Sequence, residues 1–478
     1  MSINESRSIV ILGASGNLAL TKLLPSLYTL FTSGAMPQNF AITGYARTAM
    51  TNDEFRAIVE TNLRDSVEET RLEANYVREF LKTIHYCNGS YDSTEDFVKL
   101  HKKLDEIAKD FPSAPTTLYY LSIPPSVFEP VIHSLRECGA VKKGDTNKTV
   151  IVEKPFGYDT ESAEALNKTL YETFDENQIY RIDHYLGKEA IMNLMVMRFA
   201  NIIFEPVWNR NYIESITVSW EEDKNIGSRG GYFDKAGIIR DVVQNHLLQI
   251  LALVAMEEPS DYESDSIMTE KIKVVKSIGK INLDDCILGQ YTAGVCAGKA
   301  VIGYTDEESV PDESKRETFA LLKCEINNSR WSGVPFYLRA GKALTKSSTE
   351  IIIQFKDVPG SIFSSPHHAN KLVIKVQPDA GIKFFITNKV PGKGMVLKDV
   401  KLDFSYHDGF NIAMPGAYER LLLDAIQGDK TLFICYEELI DSWEIFTPIL
   451  EKIDQGKATV YPYPAGTAGP EQVKELFN

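Results

Sequence analysis

Near its N-terminus the chain carries a short apolar run, Ser8–Leu12 (SIVIL). It ends in Gly13-Ala14-Ser15-Gly16-Asn17-Leu18-Ala19 and passes into an amphipathic stretch, Leu18–Phe31. Three β-branched residues in five make the run a buried strand. A strand, a G-x-x-G-x-x-A turn and a helix, in that order, leave few folds open. Gly13 permits the tight turn, Gly16 lets backbone approach a pyrophosphate, and Ala19 lets the helix close on the strand. The helix N-terminus then offers N–H groups and the positive end of its dipole to phosphates. With the right context on both sides, the loop reads as a dinucleotide site rather than an incidental Gly-rich turn.

The alternation continues. Phe40–Tyr45 (FAITGY), Leu118–Ile123 (LYYLSI) and Thr149–Val152 (TVIV) read as strands, with charge-rich helical stretches such as Asn52–Phe80 and Ser93–Phe111 between them. That pattern implies a doubly wound parallel sheet covered on both faces. At the end of the second strand an NAD site usually carries an acid for the ribose 2′-hydroxyl. Here the residues are Gly44-Tyr45-Ala46-Arg47-Thr48. The Arg47 guanidinium can hold a 2′-phosphate through paired, charge-assisted bonds, with Ser15 or Thr48 adding a hydroxyl. NADP is therefore the expected cofactor.

Beyond about residue 185 the character changes. Ser215–Trp220, Glu350–Phe355, Lys371–Val376 and Ile382–Thr387 alternate as strands of an antiparallel sheet. Ile238–Met256 reads as a long, nearly all-apolar and hence central helix, and Tyr418–Ile426 as a later one. The tail YPYPAGTAGP reads as loose. The 478 residues divide into a Rossmann domain, 1–183, and an α+β domain with a large, mostly antiparallel sheet, 184–478.

Composition excludes several function classes. Lys plus Arg is 51 against 66 Asp plus Glu, a net charge of −15. Such a chain is a poor general binder of nucleic acid or anionic membrane. The six cysteines are scattered without CxxC or zinc spacing, so no metal site is expected and the thiols read as reduced and mostly buried. No secretory h-region and no run of 18 or more apolar residues occurs, so a soluble cytoplasmic protein is expected.

Two segments hold more polar chemistry than their surroundings explain. In Arg181-Ile182-Asp183-His184-Tyr185-Leu186-Gly187-Lys188-Glu189, a helix starting at His184 would put His184 and Lys188 on one face. Tyr185 would complete a donor set for a phosphate monoester. The second segment, Arg240-Asp241-Val242-Val243-Gln244-Asn245-His246, lies inside the apolar helix. On an α-helix His246 lies about 140° round from Asp241, so its orienting carboxylate should come from elsewhere. Among eight histidines His246 is the best general-base candidate. His85, His101 and His133 lack a polar cluster, and His367-His368 reads as an exposed turn. Lys154, in EKPFG, and Lys342, in LRAGK, add positive charge.

RIDHYLGKE resembles the active-site signature of the glucose-6-phosphate dehydrogenase family. GASGNLA, GYAR, SIPPSVF, EKPFG, RGGYFD, IIRDVVQNHLLQ, RAGKAL and SWEIFTPIL resemble that family's other blocks in its order. The likeness runs from about residue 8 to 465. It implies NADP-linked oxidation of D-glucose 6-phosphate at C1 to 6-phospho-D-glucono-1,5-lactone, the entry step of the oxidative pentose phosphate pathway. By the same resemblance His246 and Asp183 are the catalytic pair, the histidine taking the C1-hydroxyl proton and the aspartate orienting it. His184, Tyr185 and Lys188 hold the 6-phosphate. Lys154, Glu222, Asp241 and Lys342 bind the sugar, with Lys154 near both ligands. The loop Gly13–Ala19 with Ser15 and Arg47 holds NADP, and a homodimer or homotetramer is implied.

The chain departs from the family pattern at Asn17, where the loop usually carries an acid. It departs again at Trp220–Ser228, which replaces a PFGTEG-like stretch after Glu222, and at Thr345-Lys346-Ser347-Ser348. There Lys346 is the substitute at the substrate, and the lysine expected at Ser348 is missing. Two rivals follow from these changes: a hexose dehydrogenase acting on unphosphorylated glucose, and a non-catalytic NADP-binding regulatory paralogue. The retained phosphate triad argues against the first, the retained His246 and Asp183 against the second.

Overall fold

The computed structural model describes residues 6–363, 368–410 and 414–476; His367 lies outside them. The chain forms two compact units.

The first unit comprises Met1–Gly187, Glu263–Asp265 and Pro415–Ile440. Its sheet has seven strands. Six are parallel, in the spatial order Ile84–Asn88, Asn39–Ala46, Ser6–Leu12, Thr116–Leu121, Lys148–Val152, Ile179–Ile182. That is the 3-2-1-4-5-6 order of dinucleotide-binding sheets. Ile9, Val10, Ile11 and Leu12 are fully buried, as an apolar run in a sheet covered on both faces requires. The seventh strand, Phe433–Ile434, returns from far along the chain and pairs antiparallel with Ile179–Ile182. Buried Arg181 secures this edge through Glu176, Asn167 and the Ile434 carbonyl. The first stretch of the unit ends at Gly187, close to the expected boundary at 183, and the unit also takes in a late segment that residue patterns did not assign to it.

The second unit comprises Lys188–Tyr262, Ser266–Met414 and Asp441–Asn478. Its sheet has nine strands. Their order is Leu397–Ser405, Gly381–Lys389, Lys371–Gln377, Ser348–Phe355, Ile213–Glu221, Pro335–Gly341, Phe319–Glu325, Cys286–Thr292, Val460–Pro464. Most pairs are antiparallel; Ile213–Glu221 with Pro335–Gly341, and Cys286–Thr292 with Val460–Pro464, are parallel. The tail is therefore not loose. Tyr463 is buried, and its hydroxyl donates to the Lys342 carbonyl at 2.7 Å. Packing of the alternating tyrosines outweighs the Pro/Gly content that suggested mobility.

The expected central helix, Ile238–Met256, is present as two consecutive segments, Ile239–Leu247 and Leu248–Ala255, preceded by Gly230–Ile238. Gly227–Ala255 is long and apolar enough to cross a membrane, but 89% of its apolar window is buried inside the protein. It is the core helix of this unit. The six cysteines are free, and only Cys296 and Cys324 are buried, so "mostly buried" overstated their protection.

Candidate active site

In the first unit, the loop after Ser6–Leu12 turns at Gly13 with φ 89°, a conformation only glycine adopts without strain. A Cβ at Gly13 would collide with the Ser122 carbonyl. Gly44 is equally constrained, since its Cβ would press on Ala14 and Phe55. The Gly13 and Ala14 amides donate to the Tyr45 carbonyl at 2.8 and 3.3 Å. These bonds tie the loop to the end of the second strand. Ser15, Asn17 and Arg47 are exposed beside one another's segments, Gly16 and Leu18 half-buried, Ala19 buried. The helix begins with a π-helical turn, Ala19–Leu23, and continues as α-helix over Leu24–Thr32. Arg47 lies 5.6 Å above the Tyr91 ring. This is an open backbone cradle with a guanidinium at its rim, and the residues present fit a dinucleotide.

Farther along the same sheet, Lys154 follows the strand Lys148–Val152 and is half-buried. Its neighbour Glu153 is buried, accepting from Tyr120 at 2.5 Å and bonded by Tyr418. Burial pushes the Glu153 carboxyl up, against the pull of both tyrosines and Lys154. The Tyr418 ring stacks on His184, centroids 6.2 Å apart and planes 7° apart. Residue patterns missed Glu153, Tyr120 and Tyr418, because Tyr418 comes from the segment that returns late in the chain. Asp183 is 1% exposed, and its Oδ1 accepts from the Tyr185 amide at 2.9 Å. Tyr185 is buried and its ring lies 5.0 Å from that of His184.

The expected helix from His184 is absent. Residues 184–187 form a turn, Leu186 donating to the Asp183 carbonyl, and the helix starts at Glu189 with Lys188 at its N-cap. Gly187 explains the turn: a Cβ there would press on the Ala417 carbonyl at 2.7 Å. The one-face argument for His184 and Lys188 therefore fails. Lys188 is half-buried, and that burial lowers its ammonium below the ordinary lysine range.

In the second unit, Ile239–Leu247 is π-helical. Hydrogen bonds in such a segment run five residues back, and Asp241 and His246 both lie on it. The 140° separation, derived for an α-helix, does not carry over to this segment. Both side chains are buried, His246 to 2% exposure. Asn245 supports the widened turn. Its Nδ2 donates to the Arg240 and Asp241 carbonyls at 3.1 and 3.3 Å, and its Oδ1 accepts from the His246 amide at 2.6 Å. Gln244 donates to Ser442 at 2.8 Å.

Glu222 and Lys342 meet directly. Lys342 Nζ lies 2.5 Å from Glu222 Oε2 and 4.6 Å from the Trp220 ring centroid. The backbones are joined as well, Glu222 N to Gly341 O at 3.0 Å and Leu344 N to Glu222 O at 2.9 Å. The unusual segment after Glu222 is clasped by Ser347, whose hydroxyl donates to Asp223. Lys346 turns outward, 53% exposed, with Glu350 at 3.4 Å. Ser348, at the position of the missing lysine, is buried.

Comparison with known proteins bears on both units. Residues 10–193 match the family description "Glucose-6-phosphate dehydrogenase, NAD binding domain", and residues 195–478 match "Glucose-6-phosphate dehydrogenase, C-terminal domain". The chain is 45% identical to glucose-6-phosphate 1-dehydrogenase 1, chloroplastic, of Arabidopsis thaliana, over 97% of this chain and 81% of that one. To the cytoplasmic glucose-6-phosphate 1-dehydrogenase 6 of the same plant it is 44% identical, over 98% and 90%. A solved glucose-6-phosphate dehydrogenase in complex with its substrate glucose-6-phosphate superposes with TM-score 0.92 at 38% identity, covering 99% of this chain and 97% of that one.

Proposed function

The chain belongs to the glucose-6-phosphate dehydrogenase family, and on that premise we propose that it oxidises D-glucose 6-phosphate at C1 to 6-phospho-D-glucono-1,5-lactone with NADP as acceptor. The observation that carries the reading is the buried His246 on a π-helical turn with Asp241. It supplies a shielded imidazole able to take the proton of the C1 hydroxyl. A positioned base of this kind contributes typically about 10²–10⁴-fold.

NADP, when bound, supplies the hydride acceptor. Gly13, Ala14, Ser15, Gly16, Asn17, Leu18 and Ala19 would hold its phosphates, and Arg47 its 2′-phosphate. His184, Tyr185 and Lys188 are the proposed holders of the 6-phosphate. Lys154, Glu222, Asp241 and Lys342 are those of the sugar, with Lys346 a lesser contributor. Asp183 is the proposed positioning carboxylate for His246. A neutral imidazole accepts the proton as hydride leaves C1, and a carboxylate charge stabilises the imidazolium that results.

The assembly proposed is a homodimer or a homotetramer. The hairpin Gly381–Lys389 with Leu397–Ser405 supports it. Ile382 faces Phe404, Phe384 faces Leu402 and Ile386 faces Val400, so one side of the hairpin carries three consecutive apolar pairs before Asn388 and Lys398 close it. Leu402 is 55% exposed, Phe404 40% and Val400 38%. A contiguous exposed apolar face of this kind marks an interaction surface. The compartment proposed is the cytoplasm, with one named relative cytoplasmic and another chloroplastic.

Absorbance at the NADPH band tests the function, comparing glucose 6-phosphate with glucose, each with NADP and NAD, beside His246→Asn. Reduction of NADP by glucose 6-phosphate alone, lost in the variant, is the expected result. Equal or faster turnover of glucose would transfer the reading to a hexose dehydrogenase. Dinucleotide binding without turnover of either sugar would leave the regulatory paralogue.

A further inference from the structure

We propose that Glu317 is a positioning residue, whose buried carboxyl sets the start of the π-helical turn that presents Asp241 and His246. The proposal rests on the reading of His246 as the base.

Glu317 and Thr318 are both 0% exposed. The Glu317 carbonyl accepts from the Ile238 amide at 3.0 Å, and its side-chain Oε1 accepts from the Ile239 amide at 3.4 Å. These amides stand where the helix restarts. Gly237, with φ 71° and ψ 171°, interrupts it just before, and the first amides of a helix have no partner within it. Glu317 supplies both from the segment just before the strand Phe319–Glu325, more than seventy positions downstream. The fit is tight: a Cβ on Gly237 would fall on Glu317 Oε1. Gly237 and Glu317 are thus complementary, the one lacking a side chain where the other places its own.

The same dipeptide reaches the sugar-binding segment. The Thr318 carbonyl accepts from the Lys342 amide at 2.9 Å. Tyr463 bonds the Thr318 hydroxyl at 3.0 Å and donates to the Lys342 carbonyl at 2.7 Å. Two consecutive buried residues therefore hold the entry of the histidine helix and the turn bearing Lys342. Arg316 lies 3.5 Å from Glu317 Oε2, and Arg316 and Arg240 both bond Asp454. Burial pushes the Glu317 carboxyl up, opposed by Arg316 and Arg240. A glutamine there keeps the acceptor for Ile239 and the shape of the side chain.

A displacement of about 1 Å at a reacting group costs on the order of 10²-fold in rate, so loss of this anchor reads in kcat. Glu317→Gln, Glu317→Asp and Glu317→Ala would be assayed well below each variant's Tm, with His246→Asn in parallel. NADP binding would be followed by fluorescence. The expected result is a kcat lower by about 10–100-fold in the alanine and aspartate variants, largely restored in the glutamine variant, with NADP affinity unchanged. Aspartate, one methylene shorter, decides the matter if the alanine variant does not fold. A lowered Tm with undiminished kcat per folded molecule would overturn the proposal, and so would a glutamine variant as slow as the aspartate one. Full activity of His246→Asn would instead overturn the reading of the base, whatever the Glu317 variants show.

Discussion

Lys342 reaches its ammonium to within 2.5 Å of Glu222 Oε2, over the face of Trp220. Neither charge is free to swing, and both are presented from backbone segments that bond each other. Lys342→Ala should raise KM for glucose 6-phosphate by about tenfold or more, since a hydrogen bond to a charged group is worth about 1.5–3 kcal/mol. Lys342→Arg should restore little of it, because a planar guanidinium does not replace a compact ammonium packed on an indole. Steady-state kinetics at fixed NADP check both.

Lys188 gives a dependence on pH. Burial lowers its ammonium below the ordinary lysine range, so it loses its proton at a lower pH than an exposed lysine. Above that point the cation assigned to the 6-phosphate is gone. KM for glucose 6-phosphate should rise on the alkaline side, and Lys188→Arg should carry the rise to higher pH. The stability term has the opposite sense to that of a paired lysine. Between the lowered and the ordinary value the unfolded chain holds more proton than the folded one, so this contribution to stability grows as pH rises through that window. KM profiles at constant ionic strength, with urea midpoints at matching pH, measure the two effects.

Arg47 is exposed at the strand end beside the Gly13–Ala19 loop. Arg47→Ala should raise KM for NADP by about 10–100-fold, the worth of a charge-assisted contact, and leave KM for NAD nearly unchanged. Gly13→Ala should abolish binding of both dinucleotides, because its Cβ collides with the Ser122 carbonyl and its φ of 89° strains any side chain. Fluorescence titration of NADPH and NADH separates the two outcomes.

The apolar side of the edge hairpin predicts a change of mass. Leu402→Lys with Phe404→Lys places two charges where Val400, Leu402 and Phe404 lie open to solvent. Sedimentation velocity should show the wild type as a dimer or tetramer and the double variant as smaller species. Equal masses would overturn this assignment of the contact surface.

Sequence alone determined the first sheet's central strands, the Gly13–Ala19 loop and Arg47, because each depends on neighbours within a few residues. Apolar runs bury themselves, a positive φ demands glycine, and the end of a parallel strand is where ligands meet a doubly wound sheet. It also marked His246 as the polar exception on an apolar helix. Other features depended on residues distant in the chain. The π-helical segment bearing Asp241 and His246 starts at amides bonded by Glu317, and the strand Val460–Pro464 orders an apparently loose tail. Tyr418 returns to stack on His184, and Lys342 closes on Glu222. Tertiary packing decided these, since burial of each group is favourable only once its partner, tens to hundreds of residues away, is already in place to satisfy it.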